Sequence, residues 1–350
     1  MRILIATTQV PFISGGAEVL AKTLLQACIS RGHEAEIVAI PFKHYPAVRI
    51  LDHMLACRLL DVTEVAEQKV DKLIGLKFPA YLIPHPNKSF WLLHQHRAAY
   101  EFWGNSALSD LMHTHDGSVI HDAIVNADQK NFREHSNSIF TISKNVTKRL
   151  KKFNSFDSRP LYPPPQDADR FYSDQEEGYL FFPSRLNLFK RQRLVIQALS
   201  KTKNPVRIVF GGRADEKTFE SELESLTKKL GVDNRVTFLG SMTEEQKLKY
   251  YAKATGVIYT PLDEDYGYVT LEAMLSSKPV ITCSDAGGPL EFIKHQETGL
   301  VAESDPDSLA AAMDELWENR GLSEKLGKTG RDLYHTLDIN WDNVLKHLLQ

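Results

Sequence analysis

The chain is poor in several features that would narrow its class at once. It has three cysteines in 350 residues. Cys28, Cys57 and Cys283 are odd in number and widely separated, which suits reduced thiols and excludes a disulfide framework. No apolar run approaches the ~18 residues of a membrane-spanning helix. The opening Met1-Arg2-Ile3-Leu4-Ile5-Ala6 turns polar at once and reads as a first strand, not a signal peptide. A basic excess is also missing. Lys and Arg total 42 against 45 Asp and Glu, a net charge of −3, so nucleic acid is not expected as a partner. There is no low-complexity tract. The expected setting is the cytoplasm, where the Asn145-Val146-Thr147 sequon is idle. What remains is an ordinary globular composition over a length that suggests two domains.

Short apolar runs alternate with longer helical patterns. Strands are expected at residues 2–6, 36–40, 79–83, 90–93 and 138–142, and again at 179–183, 206–210, 236–239, 256–260, 279–283 and 299–302. They alternate little between apolar and polar, as strands buried on both faces require. A helical face recurs between them, for example through Val19, Leu20, Thr23, Leu24 and Ala27. This order predicts an α/β fold with two Rossmann-like parallel sheets. The break falls at Leu161-Tyr162-Pro163-Pro164-Pro165-Gln166-Asp167, because proline lacks the N–H and fixes φ. The expected domains are residues 1–166, residues 167–332 and a C-terminal helix, 333–350, returning to the first domain. The first half is mildly basic and the remainder acidic.

In parallel sheets ligands bind outside the carboxyl ends of strands, so candidate residues belong on the loops that follow them. The first strand runs into Gly15-Gly16-Ala17-Glu18. Paired glycines there bring backbone close to an anion at a helix start, or make a plain turn capped by Ser14 or Gly15. After the strand at 179–183 come Arg185 and Lys190, two cations ahead of a helix. The helix dipole disfavours them there, and a bound polyanion such as a diphosphate accounts for them; a solvated basic turn is the plainer reading. Glu264 follows the strand at 256–260, and Gly267 opens a helix that carries Glu272 in its second turn. Ionised carboxylates only accept hydrogen bonds, which suits sugar and ribose hydroxyls, though an acidic helix start would look the same. Gly211-Gly212 and Gly287-Gly288 repeat the glycine theme on two more strand ends. The pairs His94/His96 and His113/His115 lack the spacing of a closed zinc site. Residues 144–153 form a basic amphipathic helix that either packs on its own domain or touches anionic lipid.

In order and spacing these segments resemble the family-4 glycosyltransferases, retaining enzymes of the GT-B fold, over nearly the whole chain. The matching pieces are Gly15 to Glu18, Arg31-Gly32-His33-Glu34, Ile142-Ser143, Tyr162-Pro163-Pro164, Arg185, Lys190 and Phe238-Leu239-Gly240. Most specific are Glu264 and Glu272 with seven residues between them, then Lys278-Pro279-Val280-Ile281 and Gly287-Gly288-Pro289-Leu290-Glu291. The resemblance implies that Arg185 and Lys190 grip a donor diphosphate and that Gly15 and Gly16 approach it. It implies that Glu264 holds donor-sugar hydroxyls, Glu272 the ribose, and that His94, beside His96, lines the sugar pocket. Gly240, Tyr266, Gly267, Tyr268 and Val269 are further implied donor contacts. Ser184 stands where the family usually has glycine, and Asp265-Tyr266 replaces Gly-Phe.

The implied reaction is retaining transfer of a sugar from a nucleoside-diphosphate sugar, UDP- or GDP-hexose, to a hydroxyl of a glycan or lipid-linked acceptor. A place in cell-surface polysaccharide synthesis and a peripheral membrane contact go with it. No cofactor is implied and no metal is required. A nucleotide-sugar epimerase and an inert nucleotide-sugar-binding module share the fold and are the alternatives. Residues 43–76 and 97–120 are expected to choose the acceptor, and they carry no legible motif.

Overall fold

The computed structural model describes residues 1–12, 15–105 and 108–350. Ser14, a candidate cap, lies outside them. The chain divides into two compact units, residues 1–166 with 339–350, and residues 167–338. Residues 333–338 thus stay with the second unit, and the return segment begins at Ile339 instead of 333.

The first unit is a six-stranded parallel sheet of β1 (Arg2–Gln9), β2 (Glu34–Pro41), β3 (Lys72–Lys77), β4 (Lys88–His94), β5 (Ile139–Thr141) and β6 (Arg159–Pro160). Its order is β2-β1-β3-β4-β5-β6. Register aligns Ile5 of β1 with Ile37 and Ile74 on its two sides. Four main helices cover it: α1 (Gly16–Ile29), α2 (Arg49–Leu59), α3 (Gly117–Glu134) and α4 (Lys144–Asn154). α1 forms because Leu20, Ala21, Leu24, Ala27 and Cys28 recur at helical spacing and are all buried. In α4 the Ser143 hydroxyl accepts from the Val146 N–H at 3.0 Å, and Ser155 ends the helix at φ 63°.

One expected strand is corrected. Residues 79–83 hold a 3₁₀ turn, Ala80–Leu82, and the strand is β3, which the sequence pattern did not reveal. Pro79 and Pro84 bracket the apolar run and prevent ladder pairing. Lys72 and Gly75 hide β3. A Cβ at Gly75 would lie 2.7 Å from the Tyr81 Cβ, so glycine is what lets the turn pack on the strand. Lys72 is 1% exposed, and its amine donates to the Asn87 Oδ1 at 2.9 Å and to the Gln350 carbonyl at 2.7 Å.

That last bond belongs to the returning end of the chain, a helix over Trp341–Leu348. Trp341 meets Trp91 edge to face at 6.1 Å, the Ser89 hydroxyl donates to the Leu348 carbonyl, and Arg31 pairs with Asp342. The end of the chain is therefore part of the first unit's core.

The second unit is a parallel sheet of β7 (Leu180–Pro183), β8 (Ile208–Gly211), β9 (Val236–Phe238), β10 (Gly256–Ile258), β11 (Val280–Cys283) and β12 (Gly299–Ala302). Its order is β9-β8-β7-β10-β11-β12, so the strand order reverses its direction between β7 and β10. β7, β8 and β11 are buried at every position. Around it pack α5 (Gln192–Leu199), α6 (Lys217–Lys229), α7 (Glu244–Lys253), α8 (Tyr268–Leu275), α9 (Pro306–Glu318) and α10 (Arg320–Thr336). No helix among the described residues is long and apolar enough to cross a membrane.

Candidate active site

The switch point between β7 and β10 is where a doubly wound sheet leaves a crevice. The loops after these strands meet there. The Leu262 N–H donates to the Phe189 carbonyl at 2.8 Å, and the Thr260 hydroxyl donates to the Lys190 carbonyl at 3.3 Å. Asn187 starts a 3₁₀ turn, Leu188–Lys190, by accepting the Lys190 N–H on its side chain. That turn carries the Lys190 amine to the Tyr259 hydroxyl at 2.9 Å and onto the Glu264 carboxylate. Lys190 and Glu264 side chains are 16% and 25% exposed, so the pair is sheltered but reachable. Burial, then the Glu264 charge, raises Tyr259 well above the usual tyrosine range. The phenol stays neutral beside the amine.

Arg185 is more open. Its Nη1 meets the Asp215 Oδ1 at 2.9 Å, with both side chains near two-fifths exposed. The Asn187 amide donates to the other Asp215 oxygen. Exposed pairs of this kind are worth about 0–1 kcal/mol, so Arg185 is held only weakly and can turn to a ligand. Next in the chain, Arg191 clasps Asp285 through two 2.7 Å bonds, and that carboxylate keeps the guanidinium charged. The clasp joins the loop after β7 to the loop after β11.

Glu264 is fixed by the same loop. Its N–H donates to the Ala286 carbonyl and its carbonyl accepts from the Gly288 N–H, both at 2.8 Å. Gly267 at φ 87° then turns the chain into α8. Tyr266 is a core residue at 2% exposure, packed against Tyr268 and Phe292. Tyr268 and Val269 begin the helix and are partly exposed, with the Tyr268 hydroxyl buried and unpartnered among the described residues. Glu272 sits one turn on and is 12% exposed. It accepts from Tyr251 at 2.7 Å and Lys247 at 3.2 Å, both on α7. Burial pulls the Lys247 amine down, but Glu272 and Glu244 outweigh it and raise it. Two accepted bonds leave Glu272 with lone pairs to spare for hydroxyl donors.

The glycine pairs at 211–212 and 287–288 need correction. A Cβ at Gly212 would lie 2.1 Å from the Ser184 carbonyl oxygen, and one at Gly288 2.6 Å from that of Tyr266. At Gly212 and Gly288 the missing Cβ lets loop pack on loop. Gly240, at φ 64° with nothing within 4 Å of a Cβ, is the open one.

In the first unit His94 ends β4, half-buried, with Nδ1 2.5 Å from the Gln95 carbonyl. His96 lies between Phe42 and Phe78, and burial followed by its His94 and His44 neighbours lowers it to about 3. The Gly15 N–H donates to Glu18 at 2.8 Å, and Gly16 starts α1. The residues missed in the sequence are the partners: Tyr259, Asp215, Asp285, Lys247 and Tyr251. Asp215, three residues past a glycine pair on a strand end, and the i, i+4 pair Lys247/Tyr251 were the available signals.

Comparison with known proteins bears on the family and the fold. Residues 166–333, just under half of the chain, match the family described as glycosyl transferases group 1. The alpha-1,3/1,6-mannosyltransferase of Homo sapiens is 30% identical over 213 residues, 57% of this chain and 50% of that protein. An uncharacterized glycosyltransferase of Methanocaldococcus jannaschii is 32% identical over 175 residues, 49% of this chain and 43% of its own length. The chain thus spans about half the length of these curated relatives. Among solved structures, sucrose-phosphate synthase of Thermosynechococcus elongatus superposes with a TM-score of 0.75 at 16% identity, covering 99% of this chain and 97% of that one. HepE of Anabaena, in complex with UDP and glucose, gives 0.67 at 17% over 99% and 98%. At such identities the likeness speaks for the fold. Residues 166–333 thus resemble the group 1 glycosyl transferases, and each of the two sheets follows the GT-B plan.

Proposed function

We propose that this chain is a retaining glycosyltransferase, moving a hexosyl unit from UDP- or GDP-hexose to a hydroxyl of a glycan or lipid-linked acceptor. The observation that carries the reading is the gathering of Arg185, Lys190, Glu264 and Glu272 at the carboxyl ends of β7 and β10 and the start of α8. The names of its relatives support it, since one is a mannosyltransferase and one solved neighbour holds UDP-glucose. Synthesis of a cell-surface polysaccharide, on the cytoplasmic side and in peripheral contact with the membrane, is the setting that goes with this reading.

In the reaction the bond from the sugar's C1 to the diphosphate oxygen breaks, and a bond from C1 to the acceptor oxygen forms on the same face. The acceptor proton leaves with the departing diphosphate. Charge therefore builds on the leaving group, and fixed cations there lower the barrier most. Lys190 is preorganised by Tyr259 and Glu264, while Arg185 swings from Asp215 to take two phosphate oxygens. Glu264 and Glu272 accept hydroxyls of the sugar and ribose. On this reading Arg185, Lys190 and the α8 amides supply the positive charge, and no metal or cofactor is needed.

The test is thermal stabilisation by UDP, GDP, ADP, dTDP and CDP, each with and without magnesium, followed by product analysis with the matching sugar donor. One nucleotide stabilising the protein, equally without magnesium and not after Glu272→Ala, is expected. Stabilisation by none overturns the donor site, and release of a modified nucleotide sugar without acceptor overturns transfer in favour of epimerisation.

A further inference from the structure

Resting on the transferase reading, we propose that Asp285 is a positioning residue for the reaction: it holds a strained turn beside Lys190 against the loop that carries Glu264. The residue after Lys190 and the residue before Glu264 both lie in the left-handed region, Arg191 at φ 60° and Asp263 at φ 44°. Neither is glycine. A side chain there carries a steric cost, larger for arginine than for aspartate, and such conformations persist where the surroundings over-determine them. Asp285, two residues past the end of β11, is bonded to both.

The Asp285 carboxylate takes the Arg191 guanidinium through two bonds of 2.7 Å, Nη1 to Oδ1 and Nη2 to Oδ2. A fork of this kind fixes direction as well as distance. The Ser304 hydroxyl, from the segment after β12, donates to the same carboxylate at 2.5 Å. Burial pushes the Asp285 carboxyl up, but the bonds from Arg191 and Ser304 outweigh it and hold it below the usual aspartate range. The clasp is therefore ionic. On the other side, the Asp285 carbonyl accepts from the Asp263 N–H at 3.0 Å, and its neighbour Ala286 accepts from the Glu264 N–H at 2.8 Å. The loop after β11 is thus the platform on which Glu264 sits. The turn at 188–190 is tied to the loop after β10 by the Leu262 N–H and the Thr260 hydroxyl, which reach the carbonyls of Phe189 and Lys190. Those bonds fix the turn as far as Lys190, and the clasp fixes the left-handed residue that follows. One aspartate so joins the backbone on both sides of the Lys190–Glu264 pair. A glycine at 191 would adopt the same φ without help, and that difference separates positioning from general support.

The experiment compares Asp285→Ala, and Asp285→Ala combined with Arg191→Gly, with the unaltered full chain. Turnover and KM are read from release of UDP from UDP-glucose and of GDP from GDP-mannose, and the affinity for UDP and GDP from calorimetric titration. The Asp285 side chain is 42% exposed, so its truncation leaves the core of the sheet intact. Asp285→Ala is expected to lower kcat about tenfold, because misplacing a reacting group by about 1 Å is enough to cost about 100-fold, while KM and nucleotide affinity stay within about twofold. Adding Arg191→Gly is expected to recover most of the lost kcat, since glycine holds the turn unaided. Unchanged kcat in Asp285→Ala, no recovery in the double variant, or nucleotide affinity falling in step with kcat would each overturn the proposal. Neither nucleotide binding nor donor turnover in the unaltered protein would bring down the transferase reading and this proposal with it. Normal turnover there with an unresponsive Asp285→Ala brings down this proposal alone.

Discussion

The two sheets share a plan and differ in the chemistry of their strand ends. In the second unit the charged side chains come in opposed pairs: Arg185 with Asp215, Lys190 with Glu264, Arg191 with Asp285, Glu272 with Lys247. In the first unit β4 ends in imidazoles, His94 on the Gln95 carbonyl and His96 among aromatic rings, and the charges beyond it, Arg97 and Arg149 with Glu101, are largely buried. One buried acid there is pushed toward its neutral form. Asp128 lies between the Tyr81 and Tyr100 hydroxyls at 3.0 and 2.8 Å, and burial raises it to about 7. The difference follows from what each end would bind. On the proposed reading, a site for a diphosphate keeps cations ready when empty, with carboxylates such as Asp215 standing in for the phosphates.

The hardest blow to this contrast falls on Lys190. Lys190→Ala removes a preorganised cation from the leaving group, and turnover should drop at least about 100-fold, the usual cost of losing one such donor. Arg185→Ala should cost less, because Arg185 is loosely held and must reorient first. Both are read as kcat with the donor identified by stabilisation. Equal turnover in folded Lys190→Ala protein would remove the charged site from the chemistry and erase the distinction between the units.

A middling effect is expected from Asp128→Asn, read as stability against pH. The folded chain keeps the Asp128 proton up to about pH 7, whereas an unfolded aspartate loses it near 4. Across that window the folded state holds one more proton, so this carboxyl's contribution to stability falls as pH rises. Asparagine removes the slope. The variant should gain about 2–3 kcal/mol on the unaltered protein between pH 5 and 8, seen by denaturant titration. Parallel curves for the two proteins would mean that Asp128 is charged when folded, and the neutral character of the first unit would be lost.

The same contrast governs what the sequence alone makes legible. Arg185, Lys190, Glu264 and Glu272 stand out because a charge on a loop after a buried strand sits where parallel sheets bind ligands. Tyr259, Asp215, Lys247 and Tyr251 do not, since their importance comes from register between strands and helices far apart in the chain. β3 is hidden by Lys72, whose amine is satisfied by Gln350 at the other end of the chain. The glycine pairs mislead for a related reason. A glycine records that something comes close, and only the structure tells that at Gly212 and Gly288 the neighbour is protein.

The smallest effect tests the idea of stand-ins most directly. If Asp215 only occupies Arg185 until a diphosphate arrives, Asp215→Ala should change little in the folded protein, about 1 kcal/mol or less, as for other half-exposed pairs. Its consequence should appear in binding. A ligand no longer has to break the Arg185–Asp215 contact, and a nearby negative charge is gone, so the diphosphate should bind somewhat more tightly, by less than tenfold. Asn187 tempers the gain, because its side chain also donates to Asp215 and loses that anchor. Calorimetric titration with the nucleoside diphosphate that stabilises the protein reads the sign. Weaker binding in Asp215→Ala would mean that Asp215 aims Arg185 at the ligand and does not merely wait in its place. The pair would then be a fixed part of the site, as Glu264 is for Lys190.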